Sequence, residues 1–388
     1  MRPVLRITER VVASARAGLT VRHRLMVALW SLVLALLAGC SGDDGASGPG
    51  LAPTLSGGDA GGFLQPGPDT GLRFPADFGP HPRYRVEWWY LTANLTTAEG
   101  EPLGVQWTQF RQGFRPRSPD QAPPPADQWP LEAAWMAHGA VSYQGQHRFE
   151  ERLARGDVGS AGAVAEPFEV WLDDWQLQQV APRRWHLTVR SRQAEPGFGY
   201  DLTLTLNRPP VPQGDHGFSA KSASGQGSMY FSLVDIRIEG TVTLDGKRLQ
   251  VAGQGWFDRE WSSQFLKQGQ QGWDWFAQHL DDGDKLMAFR LRDAAEPFVS
   301  GTWIPAGGDP QPLTDAELTL TPLERRDGYP VRWRLQVPSE GVDIEVTAPP
   351  GRYVNDGRFP YWESPVRVSG NRAGVGYMEL TGYGATDD

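Results

Sequence analysis

The chain has 388 residues, of which 39% are hydrophobic and 21% charged, and a formal net charge of −9. That length supports one or two hydrophobic cores, and a single cysteine excludes an internal disulfide framework. An acidic balance without a basic run, zinc-finger spacing or helix-turn-helix pattern leaves no footprint for nucleic acid.

Residues 1–39 read as a lipoprotein signal peptide. Six arginines and one glutamate precede an uncharged apolar run over 25–37, followed by Ala38-Gly39-Cys40. A positive flank, a short apolar run and small residues before a cut site are the layout of a secretory leader. The run is shorter than the ~20 apolar residues of a spanning helix. Leu37-Ala38-Gly39-Cys40 looks like a lipobox, in which Cys40 is acylated and becomes the new N-terminus. An ordinary secretory leader with an incidental cysteine is the alternative. Ser41 stands where aspartate would resemble an inner-membrane retention signal, so the expected place is the outer membrane, facing the periplasm. Each buried acyl CH₂ contributes about 0.8 kcal/mol to such an anchor. Without its basic leader the protein is near −14. Residues 40–72, rich in Gly, Pro, Ser and Asp, read as the acylated cysteine and a flexible tether.

From about Phe74 onward the pattern is β. Alternating runs occur at 183–191, 200–206, 234–244, 317–321, 331–337 and 342–346. In Leu202-Thr203-Leu204-Thr205-Leu206 every second residue is apolar, as on a strand with one buried face. Asp245-Gly246, Asp282-Gly283 and Asp327-Gly328 mark turns between runs. With 46 glycines and 32 prolines, long helices are disfavoured; 127–136 is the best helical candidate. The expected fold is all-β, of the barrel or sandwich kind.

A faint repeat divides the chain. Glu87-Trp88-Trp89-Tyr90 opens a strand–turn–strand unit, and Trp273-Asp274-Trp275-Phe276 opens another. Gly255-Trp256-Phe257-Asp258-Arg259-Glu260-Trp261 is echoed by Gly376-Tyr377-Met378-Glu379-Leu380-Thr381-Gly382-Tyr383. Two related domains follow, 73–264 and 265–388, with coincidence in a Trp-rich chain as the competing explanation.

These segments, together with Phe74-Pro75-Ala76-Asp77-Phe78-Gly79-Pro80-His81 and Tyr361-Trp362-Glu363, stand in the order typical of one family. The chain resembles the AttH-like group, which includes carotenoid 1,2-hydratases and many predicted secreted hydrolases. The resemblance runs from about Phe74 to the C-terminus and implies two lipocalin-like β-barrel domains in tandem. It implies an activity less directly, because one fold hosts many functions. The family includes hydration and cyclisation of terpenoid or polyketide substrates. Asp258 falls where the hydratases' proposed catalytic aspartate lies, and Trp256 where they carry an aromatic. The family often has histidine where this chain has Arg259.

On a strand, Trp256, Asp258 and Glu260 share one face, and two carboxylates at i and i+2 stand roughly 7 Å apart. In an apolar cavity, desolvation and mutual repulsion would raise at least one pKa. A neutral carboxylic acid among aromatics is what alkene protonation needs, and indole faces would attract the carbocation. The alternative is an architectural role, with Asp258 or Glu260 paired to an arginine. Glu87 shares a face with Trp89, while Trp88 and Tyr90 point oppositely; Glu87 is read as holding the barrel end or as a cavity carboxylate. His138, in the most apolar histidine neighbourhood, could be a base or proton shuttle or a core histidine. The cavity wall is expected to include Glu87, Trp88, Trp89, Tyr90, Trp256, Trp273 and Trp275. The Tyr377, Glu379, Thr381, Tyr383 row and Tyr361 with Glu363 could line a second cavity and are read as structural, closing a barrel.

The sequence has no His-Glu-x-x-His, Cys/His ligand set, EF-hand loop, Gly-x-Ser-x-Gly elbow or phosphate-binding glycine loop. No metal or cofactor is expected, and Ser224 and Ser228 have no nearby histidine in sequence. Two functions lead, with a structural or assembly partner as a third. One is a hydratase-like enzyme acting on a hydrophobic isoprenoid or polyketide-like ligand, with Asp258 as acid, Glu260 tuning it and His138 assisting. The other is a non-catalytic lipid or hydrophobe carrier of the cell envelope, anchored through its acylated N-terminus.

Overall fold

The computed structural model describes residues 61–117, 131–156, 158–192, 197–223, 225–263, 270–294 and 296–383; the leader and Cys40 lie outside them. The described residues are all-β apart from two 3-10 turns, Ala76–Phe78 and Pro338–Glu340. The strands of the first half are β1 (Val86–Thr97), β2 (Pro102–Gly113), β3 (Ala133–Tyr143), β4 (Gln146–Arg155), β5 (Ala161–Ala165), β6 (Phe168–Leu172), β7 (Trp175–Ala181), β8 (Arg184–Arg190), β9 (Phe198–Leu206), β10 (Val211–Pro212), β11 (Phe218–Ala220), β12 (Gly227–Leu244) and β13 (Lys247–Ser262). They form one sheet in the order β4-β3-β2-β1-β13-β12-β9-β8-β7-β6-β5, with β10 and β11 on β12. The sheet curls until β2, β3 and β4 meet β6, nearly closing a barrel.

The second half contains β14 (Gln270–Leu280), β15 (Lys285–Asp293), β16 (Phe298–Ile304), β17 (Gln311–Leu313), β18 (Thr319–Arg326), β19 (Tyr329–Val337), β20 (Val342–Thr347), β21 (Val354–Asn355), β22 (Tyr361–Gly370) and β23 (Gly374–Thr381). Their order is β17-β16-β15-β14-β23-β22-β20-β19-β18, with β21 on β22, a half-barrel. Both sheets obey one rule: the first strand pairs with the second and with the last. Each also sets an acid opposite an arginine on its opening strands, Glu87 across from Arg111 and Asp274 across from Arg290.

Local chemistry accounts for the strands. In β9, Leu202, Leu204 and Leu206 are buried while Thr203 and Thr205 face outward. The Asp245-Gly246 turn takes positive φ at both residues, 50° and 76°, which closes the β12–β13 hairpin with the twist its strands need. The first core gathers Trp89, Leu91, Trp107, Leu177, Leu187 and Phe257; the second gathers Phe276, Trp303, Trp333, Ile344 and Trp362.

Two expectations need correction. Residues 133–136, at the end of the helical candidate, open β3, because the strand buries Ala133 and Trp135 on one face. The tether expected through residue 72 is ordered earlier: Leu64 and Leu72 pack on a cluster with Phe218, Phe231 and Trp261, and the Leu64 amide donates to Arg83 O at 2.9 Å.

A third cluster lies outside both barrels and draws on both sheets, with Tyr90, Tyr230 and Trp256 meeting Trp275, Phe289 and Tyr377. Hydrogen bonds reinforce it. Tyr90 donates to Glu363 (2.6 Å), Gln106 to the Tyr361 hydroxyl (2.7 Å), and Asn94 to Gly376 O (2.9 Å). The two barrels therefore share an apolar, hydrogen-bonded seam.

Candidate active site

The seam opens into a cavity of about 320 Å³. Alternation along β13 sends Phe257 into the first core and turns Asp258 and Glu260 toward the second barrel, where both line the cavity. Trp88 and Tyr90 reach it from β1, Tyr230 from β12, Trp273 and Trp275 from β14, and Glu379 from β23. The wall is mainly aromatic and aliphatic, with Phe110, Met136, Phe289 and Leu291 among its residues. Among the described residues, no group of three or more His, Cys, Asp or Glu is placed to hold a metal ion.

Asp258 is 3% exposed and held by three donors. Trp256 Nε1 (2.7 Å) and the Ser232 hydroxyl (2.6 Å) donate to Oδ1, and the Tyr230 hydroxyl meets Oδ2 at 2.7 Å. Gln213 Nε2 donates to Ser232 Oγ (2.8 Å), which aims the serine proton at the carboxyl. Burial nevertheless dominates and, with the Glu260 charge adding to it, pushes Asp258 up to about 7 against the pull of its donors. Oδ1 thus has two donors and Oδ2 one, the Tyr230 hydroxyl. Burial keeps the Tyr230 phenol protonated well above its ordinary range, and Trp275 Nε1 donates to its oxygen at 3.2 Å.

Glu260 sits in a different environment. Ser228 donates to it, and Lys221 Nζ lies 3.1 Å from Oε1 and 4.3 Å above the Phe289 ring. Among the described residues, two neighbouring carboxyls thus have distinct partners, a lysine for Glu260 and only neutral donors for Asp258.

Across the cavity, Glu363 on β22 and Glu379 on β23 are direct cross-strand partners. Glu363 is 1% exposed, bonded to Tyr90 and to Asn355 (3.2 Å), and burial raises it well above the carboxylate range. Glu379 lines the cavity, accepts from Trp273 Nε1 (2.6 Å), and is pushed up to about 7 by burial together with the Asp258 and Glu260 charges.

A second polar hub, on the inner side of the first barrel, uses the Phe74–His81 motif. Glu87 accepts from Arg111, from Arg259 and from the His81 backbone amide (2.9 Å). Arg259 also donates to Gly79 O (2.7 Å) and His81 Nδ1 (2.8 Å), and its guanidinium lies 3.9 Å from the Trp89 ring centroid. The two guanidinium groups overcome desolvation and hold Glu87 well below the usual carboxylate range. Glu87 borders the cavity but is committed to this hub.

A family model described as AttH-like matches residues 65–383. The chain belongs to the AttH-like family. Two crystal structures resemble this AttH-like protein. A candidate AttH from Nitrosomonas europaea is 30% identical with a TM-score of 0.72, covering 83% of this chain and 99% of its own. Kievitone hydratase from Nectria haematococca is 16% identical with a TM-score of 0.60, covering 83% and 96%, and shares the fold. No curated protein matches the chain in sequence.

Among the expected wall residues of this AttH-like chain, Trp88, Tyr90, Trp273 and Trp275 line the cavity together with Asp258 and Glu260. Trp89 does not. It is fully buried in the first barrel with its indole donating to Phe78 O (2.8 Å), because alternation along β1 turns it inward. Trp256 touches the site through its hydrogen bond to Asp258, while its ring packs edge-on against His279. His138 borders the cavity with both nitrogens engaged, Nδ1 with Tyr361 (2.9 Å) and Nε2 with Glu151 (3.2 Å), and burial lowers its pKa. Arg259, where the family often has histidine, points away from the cavity acids into the Glu87 hub. Sequence reasoning missed Tyr230, Lys221 and Glu379. Tyr230, on β12, and Lys221, just past β11, belong to no motif, and Glu379 was in view but assigned to barrel closure.

Proposed function

We propose that the protein protonates a carbon–carbon double bond in a hydrophobic, isoprenoid or polyketide-like ligand held between its barrels, leading to hydration or cyclisation. The observation that carries this reading is Asp258, a carboxylic acid poised near neutral pH in an aromatic cavity. Oδ2 delivers the proton, directly or through the Tyr230 hydroxyl. The cation that forms faces the indoles of Trp88, Trp273 and Trp275, whose π-faces stabilise positive charge. A cavity of about 320 Å³ lies at the small end of the range for ligand pockets. A short prenyl group or compact ring system fits it, and a longer polyene would protrude. Kievitone hydratase shares the fold and is named for a hydration, which agrees with this reading. The Leu37-Ala38-Gly39-Cys40 segment would anchor the exported protein to the outer membrane, placing the cavity near apolar metabolites.

The test is native extraction of the protein with mass spectrometry of its bound small molecule, alongside a panel of prenyl-bearing compounds in heavy-oxygen water. Asp258→Asn should remain folded, retain ligand and lose turnover by roughly 10²–10⁴-fold. Normal turnover in that variant would overturn the assignment. An unmodified lipid bound equally to both proteins, with no product, would make it a carrier.

A further inference from the structure

Four acids meet in the seam, and their partners separate them. Glu260 is matched by Lys221 and Ser228, while Glu363 is bonded to Tyr90 and Asn355. Asp258 and Glu379 both line the cavity, one from each barrel, and among the described residues neither has a cationic partner of its own. Glu379 stands beside Trp275 as its cross-strand partner on β14, and Trp275 donates to the Tyr230 hydroxyl that meets Asp258. An unbroken row of side chains thus runs from one carboxyl to the other. Tyr90, facing Trp275 edge-on with centroids 5.2 Å apart, covers its flank.

Resting on the alkene-protonation reading above, we propose that Glu379 is the second catalytic carboxyl, taking the proton of the adding water and facing the cationic carbon opposite Asp258. The step balances without a redox partner. The Asp258 O–H bond breaks and its proton forms a C–H bond with the alkene π pair. A water lone pair then forms the C–O bond at the cationic carbon, and one water O–H bond breaks as its proton passes to Glu379. Exchange with solvent returns a proton to Asp258, so the sum is alkene plus water to alcohol. Burial holds both carboxyls near 7, and each charge opposes the other, so near neutrality one is an acid while the other is a base. The ionisable groups facing Glu379 are Asp258 and Glu260 on β13, Tyr90 on β1, and Tyr361 and Glu363 on β22, with Lys221 offsetting Glu260.

The experiment uses a stable mimic of the cation, protonated N,N-dimethyl-2-phenylethylamine, and its neutral isostere 3-methylbutylbenzene. Binding of each is measured by calorimetry at about pH 8 and about pH 5, with Glu379→Gln and Asp258→Asn in parallel. Glutamine keeps an acceptor for Trp273, and unchanged binding of the hydrocarbon reports an intact cavity. The wild type should favour the ammonium about tenfold or more at the higher pH and lose that preference at the lower. Glu379→Gln should cut the preference about tenfold. A wild type without the preference, or a glutamine variant that keeps all of it, overturns the proposal. With any prenyl substrate that is hydrated, Glu379→Gln should lower kcat about 100-fold, leave KM unchanged and remove one limb of the pH profile. Normal kcat would overturn the base role. A Glu379-dependent ammonium preference with no hydration of any compound would instead remove the hydration reading and leave Glu379 as the counter-ion of a cationic ligand.

Discussion

Two buried carboxyls, Asp258 and Glu87, show how the same side-chain chemistry is driven in opposite directions. Glu87 has two guanidinium groups and is held low; Asp258 has only neutral donors and is held high. Their effects on stability therefore run oppositely with pH. Asp258 is raised from 3.8 to about 7, so its contribution is complete below pH 3.8 and is lost as pH rises through 7. Asp258→Asn should remove this loss, and relative to wild type it should gain on the order of 3 kcal/mol between about pH 5 and pH 7 in urea titrations. A parallel pH dependence in both proteins would show that Asp258 ionises normally. Glu87 is lowered from 4.5, so its contribution is present above that value and lost as pH falls through its folded pKa. Glu87→Gln leaves Arg111 and Arg259 buried without their carboxylate and should cost about 3–5 kcal/mol at neutral pH. A loss below about 1 kcal/mol would mean the guanidinium groups find new partners.

At the scale of elements, the site depends on how β2 meets the second barrel. Gly104 lies where a β-carbon would come within 2.9 Å of Pro365 Cγ and closer still to the Tyr377 hydroxyl. Its missing side chain lets β22 and β23 approach, which sets the distance between the walls bearing Asp258 and Glu379. Gly104→Val should cost about 1–3 kcal/mol through overpacking, and it should weaken binding of apolar ligands while the first core stays intact. Wild-type stability and binding in this variant would show that the seam does not rely on close approach. The strands themselves were legible in the sequence: the runs at 183–191, 200–206, 331–337 and 342–346 correspond to β8, β9, β19 and β20. Their period of two is a local property that survives without knowledge of partners. The end of the helical candidate at 133–136 was misread because a short apolar stretch has no decisive period until its neighbours, here β2 and β4, are known.

For the whole molecule, the shared seam predicts one unfolding event. Separating the barrels would expose the cluster around Tyr90, Tyr230, Trp275 and Tyr377 and strand the Tyr361–Gln106–Asn355 hydrogen bonds in water. Tryptophan fluorescence and far-UV circular dichroism should therefore report a single coincident transition. Two resolved transitions would mean that each barrel is stable alone and that the cavity forms only by docking.

The sequence by itself determined the all-β class, the repeat of opening and closing strands, and the sidedness that puts Asp258 and Glu260 opposite Phe257. Each follows from alternation along one strand. Only the tertiary structure decided what those faces meet. It turned Trp89 and Arg259 inward, brought Tyr230 and Lys221 to the acids, and made Glu379 and Thr381, on the strand that closes the second sheet, part of the cavity wall. Register and burial between strands far apart in sequence carry that information, and no local pattern encodes which outer face will be covered by a second barrel.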